Sequence, residues 1–528
     1  MRSSKKVEWI VLFLLVVAGA IYYYGLHLSF WPDPEDLYMT LRYYWADKFD
    51  YHVSKDHMFF SEVLAEMCYK LFGAGYVSIR VYRTLMYFVI LSFTAVLALF
   101  SSRKQRINWY LLPLFVFLAV ILNPGSSELC GFHTTLYHVY PFDMHTDSLV
   151  TSLCGLFLFE LLLRERLPRW GKIAALVVLV GLVICRRTDL LYIIGFCVPV
   201  LCMGGVRLWK TNKRYLINLV LIILMAVMLV RAFSIFHIPI RALFKRTELY
   251  YGNWSGGGIY GNIGFCKYSD VWRNISNTIT ELLALYNAEF SEYGILSVNT
   301  LMGIIRTGIL LLIMGSAIYY IFFSFRKDEK LDYISLIVSY GMLFNVLMVV
   351  FSQYGNNINC IRYMTMVLFY GVILLCRNAD KIVEKCDWGI TYIKRTVVIG
   401  FLLCILIEVR PAWRDDSYHA EYERIFTEIA NTIMDNQLGN GIGWHWFSTS
   451  LTALMNGEYA VLEGRDWSAE EGMDLGFYAP VNYIVEINGD YRVWSDEMIR
   501  DSFGTPDRLF ETEDYQIYYY ENGIAVKE

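Results

Sequence analysis

Long apolar stretches alternate with short basic segments through the first 410 or so residues of the chain. Most of these stretches approach the roughly 20 residues that an α-helix needs to cross a bilayer. The sequence therefore predicts an α-helical polytopic membrane protein whose transmembrane domain covers residues 1–409. About eleven spans are expected, at 9–27, 82–100, 109–122, 146–163, 173–185, 190–205, 216–236, 300–325, 331–352, 361–376 and 396–409.

The short stretches at 173–185 and 190–205 decide the topology. They are either two short helices joined by a tight turn or one interrupted helix. Counted as two crossings, they leave every basic segment on one side, and the positive-inside rule assigns that side to the cytoplasm. The N-terminus is then cytoplasmic and everything after residue 409 lies outside. The basic segments are the N-terminus, 103–106, 164–172, 207–214, 326–330 and 377–395.

The pattern changes after residue 409. Alternating apolar residues predict strands at 459–462, 482–487 and 515–520, separated by turn signals such as Asn488-Gly489. Helical spacing of apolar residues precedes them at 418–434. No run of span length occurs here, so we predict a small extracytoplasmic α/β domain over residues 410–528.

Three long loops fall on the outer side, at 29–76, 123–145 and 237–299. Within the first, apolar residues at helical spacing predict amphipathic helices at 35–49 and 56–72, both lying at the outer membrane interface. The second helix is expected to end at Gly73 and Gly75. Its apolar face is formed by Phe59, Phe60, Val63, Leu64, Met67, Leu71 and Phe72. A further interfacial helix is expected at 231–251.

The composition agrees with a membrane protein and excludes several classes. Hydrophobic residues make up 56% of the chain and charged residues 18%, against about 25% charged in soluble proteins. The formal net charge of −4 favours no nucleic-acid partner. The eleven cysteines form no CxxC pair, so a metal–thiolate site is not expected. The glycine-rich stretch at 252–264 matches no phosphate-loop pattern.

Candidate catalytic chemistry begins directly after the first span, where Asp33, Glu35 and Asp36 follow one another. Acids in the first turn of a helix also stabilise its dipole, so a structural role is the alternative. Three acids beside Trp31 and Pro32 at a membrane exit nevertheless favour contact with a lipid-borne substrate.

Cations occur at several predicted outer helix ends, although the translocated side of membrane proteins is usually depleted of them. Each one alone is explained by snorkelling toward the interface. Together they indicate a phosphate-bearing partner, because arginine forms paired hydrogen bonds with phosphate oxygens. The outer cations are Arg80, Arg83, Arg186, Arg187, Arg231, Arg241, Lys245, Arg246, Arg306 and Arg362.

A histidine and an aspartate, His145 and Asp147, mark the outer mouth of the fourth span. With His133 and His138 they raise the alternative of a metal site. Their spacings match no standard metal motif, and we predict none. No cofactor motif is present, and a divalent cation that helps to hold a phosphate is left open.

Several stretches in this order resemble the C-type (GT-C) glycosyltransferases, membrane enzymes that use polyprenyl-phosphate sugars. The likeness is closest to the group that contains protein O-mannosyltransferases and the lipid A aminoarabinose transferase. It extends over roughly residues 1–205. The stretches are PDPEDLYMTLRYYWADKF, DHMFFSEVLAEMCYKLFGAGYVSIRVYRTL, HTDSLVTSLCGLFLFELLLR, GLVICRRTDLLYIIGFCVP and, more weakly, CIRYMTMVLFYG.

The resemblance implies inverting transfer of a glycosyl group from a polyprenyl-phosphate sugar to a glycan, lipid or protein acceptor on the outer face. It implies Asp36 as the base, with Asp33 second and Glu35 beside them. The predicted substrate-binding residues are Arg80, His145, Asp147, Arg186, Arg187, Arg241, Arg246 and Arg362; of these, Arg241 and Arg246 come from the set of outer cations and His145 from the mouth of the fourth span, and the resemblance implies the others. The family's proline pair is absent at 56–60, which leaves the acceptor site unassigned.

Two other classes compete with this interpretation. A transporter or flippase for lipid-linked glycans would place charges near mid-bilayer in two related halves, and no such halves are evident. A non-catalytic envelope assembly protein would use its tail as a binding module. Asn253 and Asn274 open outer-side glycosylation sequons if the host has that machinery. The absence of retention signals and the compact loops favour a bacterial plasma membrane.

Overall fold

A computed structural model describes most of the chain. Its contacts group the residues into two compact units. The first consists of Met1–Gly25, Met86–Glu248 and Gly252–Trp413, and the second of Leu26–Leu85, Leu249–Tyr251 and Arg414–Glu528. The described residues are 2–25, 60–100, 109–120, 146–163, 167–186, 189–211, 265–288, 297–325, 332–356, 363–384, 390–412, 417–464, 481–489, 492 and 494–524.

Helices occupy every predicted span except 216–236, which lies outside the described residues. Among the described residues, five helices are long and apolar enough to cross a membrane: Val7–Gly25, Tyr76–Leu99, Leu190–Arg207, Val298–Phe323 and Tyr333–Phe351. The protein is therefore membrane-embedded, and the number eleven stays a prediction. The helices up to residue 412 are α1 (Arg2–Gly25), α2 (Phe60–Phe72), α3 (Tyr76–Leu99), α4 (Leu112–Ala119), α5 (Thr146–Leu163), α6 (Arg169–Cys185), α7 (Leu190–Tyr192), α8 (Val198–Thr211), α9 (Val271–Leu285), α10 (Val298–Phe323), α11 (Tyr333–Phe351), α12 (Thr365–Glu384) and α13 (Ile390–Ala412).

The helices α6 and α7 flank residues 187 and 188, which lie outside the described residues. α6 ends at Cys185, and α7 begins after Asp189, whose side chain accepts a hydrogen bond from the Tyr192 backbone amide and so caps the helix. A π-helical turn, Ile193–Cys197, continues α7 into α8. Such turns insert an extra residue into a helix and are frequent at functional sites.

The buried centre of the helical unit is formed by α12 and the first part of α11, whose apolar side chains are mostly buried. Gly341 of α11 and Gly195 of the π-helical turn let their two segments approach closely. A Cβ at Gly341 would lie 2.7 Å from the Gly195 carbonyl oxygen and 2.6 Å from the Tyr370 ring. Tyr370 Oη donates to that same carbonyl at 3.2 Å. Small residues at helix crossings of this kind are typical of membrane bundles.

The tail folds around a five-stranded sheet of order β2-β1-β3-β5-β4. The strands β2, β1 and β3 are parallel to one another. β5 pairs antiparallel with β3, and β4 pairs antiparallel with β5. The structure therefore shows a small five-stranded sheet in this part of the chain, whereas the domain bounds 410–528 and the extracytoplasmic position stay predictions. Its elements are α14 (Ser417–Asp435), β1 (Asn440–Trp444), α15 (His445–Leu454), β2 (Val461–Gly464), β3 (Val481–Ile487), α16 (Asp496–Phe503), β4 (Arg508–Glu511) and β5 (Tyr515–Tyr519).

Each face of this sheet is covered. On one face, Phe426 of α14 and Phe447 of α15 pack with Ile517. On the other face, Ile499 of α16 and Ile484 share a core with Ala74 and Ile79, from the junction between α2 and α3. The end of the first predicted outer loop is therefore built into the C-terminal unit.

The helix α2 begins at Phe60 and ends before Gly73, which adopts a φ of +75° that a side chain would disfavour. Its buried positions are Ala65 and Cys68. Val63, Met67, Leu71 and Phe72, from the predicted apolar face, are exposed. An exposed apolar face agrees with the prediction of an interfacial helix. The predicted helices at 35–49 and 231–251 lie outside the described residues.

Asn274 cannot serve as the glycosylation acceptor that its sequon suggests. The side chain is fully buried, and its Nδ2 donates to the carbonyl oxygens of Val350 and Ser352 at 3.0 Å each. The amide nitrogen that would carry the glycan is therefore enclosed and bonded within the fold. The other sequon asparagine, Asn253, lies outside the described residues.

Candidate functional site

The first turn of α5 carries two buried polar side chains, Asp147 and Ser148. An acid at this position is stabilised by the positive end of the helix dipole. Ser148 Oγ donates to Asp189 Oδ2 at 2.6 Å, a contact between residues 41 positions apart in the sequence. The cap of α7 is thereby joined to the start of α5.

Arg186, directly after α6, completes this group. Its guanidinium forms an ion pair with Asp147 through Nη2 and lies 3.6 Å from Asp189 Oδ2 through Nη1. All three charged side chains are at least 97% buried. One guanidinium thus faces two carboxylates, which gives the three groups a formal charge of −1. We call Asp147, Ser148, Arg186 and Asp189 the Asp–Arg–Asp cluster.

Burial makes the members of this cluster depend on one another. Removing a charge from water costs several kcal/mol, and only close partners with good hydrogen bonds offset that cost. The arrangement therefore holds the segment between α6 and α7 against the start of α5. In chemical terms, Arg186 is engaged by carboxylates and is suited to position its neighbours. The next residue, Arg187, lies outside the described residues.

The structure places three of the predicted site residues. Asp147 and Arg186, from two separate motifs, are brought together as an ion pair. Arg80 is half-buried on α3, in the part of that helix that belongs to the second unit. The residues Asp33, Glu35, Asp36, His145, Arg187, Arg241, Arg246 and Arg362 lie outside the described residues, so their roles stay predictions.

Sequence reasoning missed Asp189 and Ser148. The signal was present as the Arg-x-x-Asp spacing of Arg186 and Asp189 at the start of an apolar stretch. An aspartate directly before a helix favours an N-cap, and a cation three residues earlier favours a local pair.

A second buried network joins five helices of the first unit. Arg377 of α12 donates two hydrogen bonds to Asp332, at 2.7 and 2.9 Å, and one to the Leu97 carbonyl oxygen at 2.9 Å. Its Nη2 also lies 3.4 Å from Glu160 Oε2 on α5. The network continues through Asn378, which donates to Ser335 Oγ at 3.2 Å and accepts a hydrogen bond from Tyr320 of α10.

The helix α12 extends beyond the predicted span at 361–376 and ends at Glu384. The prediction that Arg377 belongs to a basic cytoplasmic segment stays a prediction. Its side chain can be buried because Asp332 and Glu160 compensate its charge.

Arg306, another of the predicted outer cations, is also buried. It lies in α10, where its Nη1 donates to the Tyr286 carbonyl oxygen at 3.0 Å. Its guanidinium carbon is 4.8 Å from the centre of the Phe117 ring, within the range of a cation–π interaction. This arginine therefore also contributes to helix packing.

Among the described residues, no group of three or more His, Cys, Asp or Glu side chains is arranged to hold a metal ion. No model of a known protein family matches the chain, and no curated protein sequence matches it significantly.

Proposed function

We propose that the protein is a membrane-embedded glycosyltransferase that uses a polyprenyl-phosphate sugar as its donor. In this proposal, transfer takes place on the outer face of a cell membrane to a glycan, lipid or protein acceptor. The membrane is proposed to be a bacterial plasma membrane. The observation that carries this proposal is the meeting of Asp147 and Arg186. They come from two of the stretches that resemble the GT-C enzymes, and a buried ion pair between them fits a shared architecture.

The proposed reaction is a direct displacement at the sugar's anomeric carbon. The carboxylate of Asp36 takes the proton of the acceptor hydroxyl, whose oxygen forms the new bond to that carbon. The bond between the carbon and the phosphate oxygen breaks, and polyprenyl phosphate leaves with the electron pair. Attack opposite the leaving group inverts the anomeric configuration.

The leaving phosphate carries its own negative charge and needs no proton, so cations rather than an acid would stabilise it. We assign this role to Arg187, Arg241, Arg246 and Arg362, with Arg80 and His145 near the substrate. The Asp–Arg–Asp cluster acts as a positioning group, because Arg186 is already bound to carboxylates. In this proposal the cluster holds the segment that contains Arg187.

The test uses the full-length protein in sealed proteoliposomes with a pool of radiolabelled polyprenyl-phosphate sugars and an extract of candidate acceptors. Transfer of label from donor to acceptor is expected for the unchanged protein. Asp36→Asn is expected to lose it, because the amide cannot take the hydroxyl proton. Asp33→Asn and Glu35→Gln are matched variants that remove a neighbouring charge and determine which acid is the base.

The outcome also separates the competing classes. Label that crosses the bilayer without reaching an acceptor would indicate a transporter or flippase. Transfer that is unchanged in all three acid variants would contradict the proposed base. No transfer from any donor in a folded, unchanged protein would contradict the enzyme proposal itself.

A further inference from the structure

The helix α9 buries several polar side chains and exposes large apolar ones, which a helix in water does not favour. The side that faces the protein carries buried Asn274, Thr278 and Glu281 together with apolar residues of its last turn, Leu282, Ala284 and Leu285. Asn274 is bonded to the end of α11, and Asn277 Nδ2 donates to the Gly355 carbonyl oxygen at 2.9 Å. These bonds fix which side of the helix points inward.

The outward side of α9 and of the segment before it carries four large apolar or aromatic side chains among the polar residues Lys267, Ser269, Arg273 and Ser276. Phe265 and Tyr268 are each 89% exposed, Trp272 is 76% exposed and Ile279 is 55% exposed. Trp272 and Ile279 are seven residues, or two helical turns, apart and so lie on one stripe. Tyr268 lies one turn before Trp272.

Water does not favour this arrangement. A large apolar side chain that stays exposed to water forgoes about 1.5–3 kcal/mol that burial would contribute. Helices at a water boundary instead bury the apolar side and expose the polar one. Exposed apolar side chains and buried, hydrogen-bonded polar ones are favourable when the surroundings are lipid, because polar groups then need partners within the protein.

The position of this surface next to the end of α11 indicates that membrane lipid is what contacts it. α11 is a candidate membrane span that ends at Phe351. Phe265 pairs with Ser352 through a β-bridge, and the Cys266 amide donates to the Phe351 carbonyl oxygen at 2.9 Å. Near this end of α11, Leu347 and Phe351 expose apolar surface. If α11 crosses the membrane, one membrane boundary lies near Phe351 and so close to Phe265.

The residues on this surface are those that membrane boundaries favour. Tryptophan and tyrosine concentrate where headgroups meet acyl chains. Two exposed cations, Lys267 and Arg273, lie among the aromatic residues. Arg273 also pairs with Asp270 at 3.3 Å, within reach of the headgroup region. Long cationic side chains can keep their charge in water while their stems contact lipid.

We propose that residues 265–279, which we call the aromatic anchor, lie in the bilayer at the boundary between headgroups and acyl chains. The partner is the membrane lipid next to the end of α11. The anchor fixes the depth of this helix end, and through Asn274 and Asn277 it holds the backbone that follows α11. This inference does not depend on the proposed glycosyl transfer.

The experiment places p-benzoylphenylalanine at position 272 or, in a second variant, at position 268 of the full-length protein. Both side chains are exposed, so neither replacement breaks a buried hydrogen bond of α9. The variants are reconstituted in nanodiscs of phosphatidylcholine and phosphatidylglycerol and irradiated. Phospholipid adducts are then quantified by mass spectrometry of the labelled peptide. Position 347, on the apolar surface of α11, is the lipid-facing reference.

The matched control is Met498, an exposed apolar residue of α16 in the C-terminal unit. Adducts at 272 and 268 are expected to approach the yield at 347 and to exceed the yield at 498 by about tenfold or more. The inference is overturned if 272 and 268 give no more lipid adduct than 498. It is also overturned if they crosslink to protein instead, because a second chain or another segment would then cover this surface.

Discussion

Arg186 carries the charge that allows two carboxylates to stay buried beside the start of α5. Breaking a buried pair by removing one partner typically costs about 3–5 kcal/mol. We therefore expect Arg186→Met to lower the melting temperature strongly. The melting temperature of Arg186→Lys should lie between those of Arg186→Met and the unchanged protein, because an ammonium keeps the charge but not the planar pair of donors. Thermal unfolding of the detergent-solubilised protein, followed by tryptophan fluorescence, measures both.

The control for this prediction is Arg273→Met, which removes a half-exposed arginine paired with Asp270 at 3.3 Å. Surface pairs contribute only about 0–1 kcal/mol. If Arg186→Met and Arg273→Met shift the melting temperature equally, the buried cluster does not stabilise the fold in the way we describe.

Asp496 of α16 supplies a pH-dependent contribution within the C-terminal unit. The Tyr518 hydroxyl donates to its carboxylate and Arg492 lies 2.7 Å away, and both lower the pKa of Asp496 below its ordinary 3.8. A group whose pKa is lower in the folded state stabilises above its unfolded pKa. The contribution is lost as the pH falls through the folded pKa.

Asp496→Asn is therefore expected to lower the melting temperature at pH 7, with a difference that shrinks as the pH drops below 3.8. The effect should be modest because the side chain is half exposed. Glu497→Gln, a substitution in the same first turn of α16, is the control. A difference for Asp496→Asn that does not change with pH would contradict the assignment.

Among the helices, Arg377 joins α12 to α11 by a paired contact and to α5 by a longer one. Paired, charge-assisted hydrogen bonds are the stronger kind, so Asp332 should couple to Arg377 more strongly than Glu160 does. Two double-mutant cycles test this, combining Arg377→Met with Asp332→Asn or with Glu160→Gln. Coupling between contacting residues is about 0.5–3 kcal/mol. Equal or reversed coupling energies would contradict the geometry.

The elements of the C-terminal unit show what sequence patterns can and cannot predict. Predicted segments 418–434, 482–487 and 515–520 correspond closely to α14, β3 and β5. β1 was missed because its sequence, NGIGW, contains glycines that strands usually avoid. Gly441 is needed there since a Cβ would lie only 2.0 Å from the Tyr483 ring. That ring comes from another strand, so no local pattern reveals the requirement.

For the candidate site, local signals identified single residues but not their partners. The outer cations and Asp147 were found because charges are unusual near membrane spans. The pairing of Arg186 with Asp147 depends on how α5 and α6 are placed relative to each other. The hydrophobic periodicity of the sequence does not predict that placement. For the same reason, the sequence indicated the charge of Arg377 but not that its compensating acids lie on α5 and before α11.

At the scale of the whole molecule, the topology depends on the pair of helices around residue 188. If α6 and the continuous helix formed by α7 and α8 are separate crossings, the basic segments before 173 and after 207 are both cytoplasmic. Alkaline phosphatase is active only outside the cytoplasm, whereas green fluorescent protein folds well inside it. Fusions of each reporter after residues 211, 328 and 528 test the arrangement. We expect fluorescence at 211 and 328 and phosphatase activity at 528.

A reporter pair inserted at residue 188 decides between the two models independently. Two crossings place 188 outside while 170 and 211 are inside. One interrupted helix would make 170 and 211 report opposite sides, and every later position would invert. Residues 410–528 and the predicted loop at 237–299, which contains Arg241 and Arg246, would then be cytoplasmic. That result would contradict both the topology and the proposed function, whereas the Asp–Arg–Asp cluster and the aromatic anchor depend on neither.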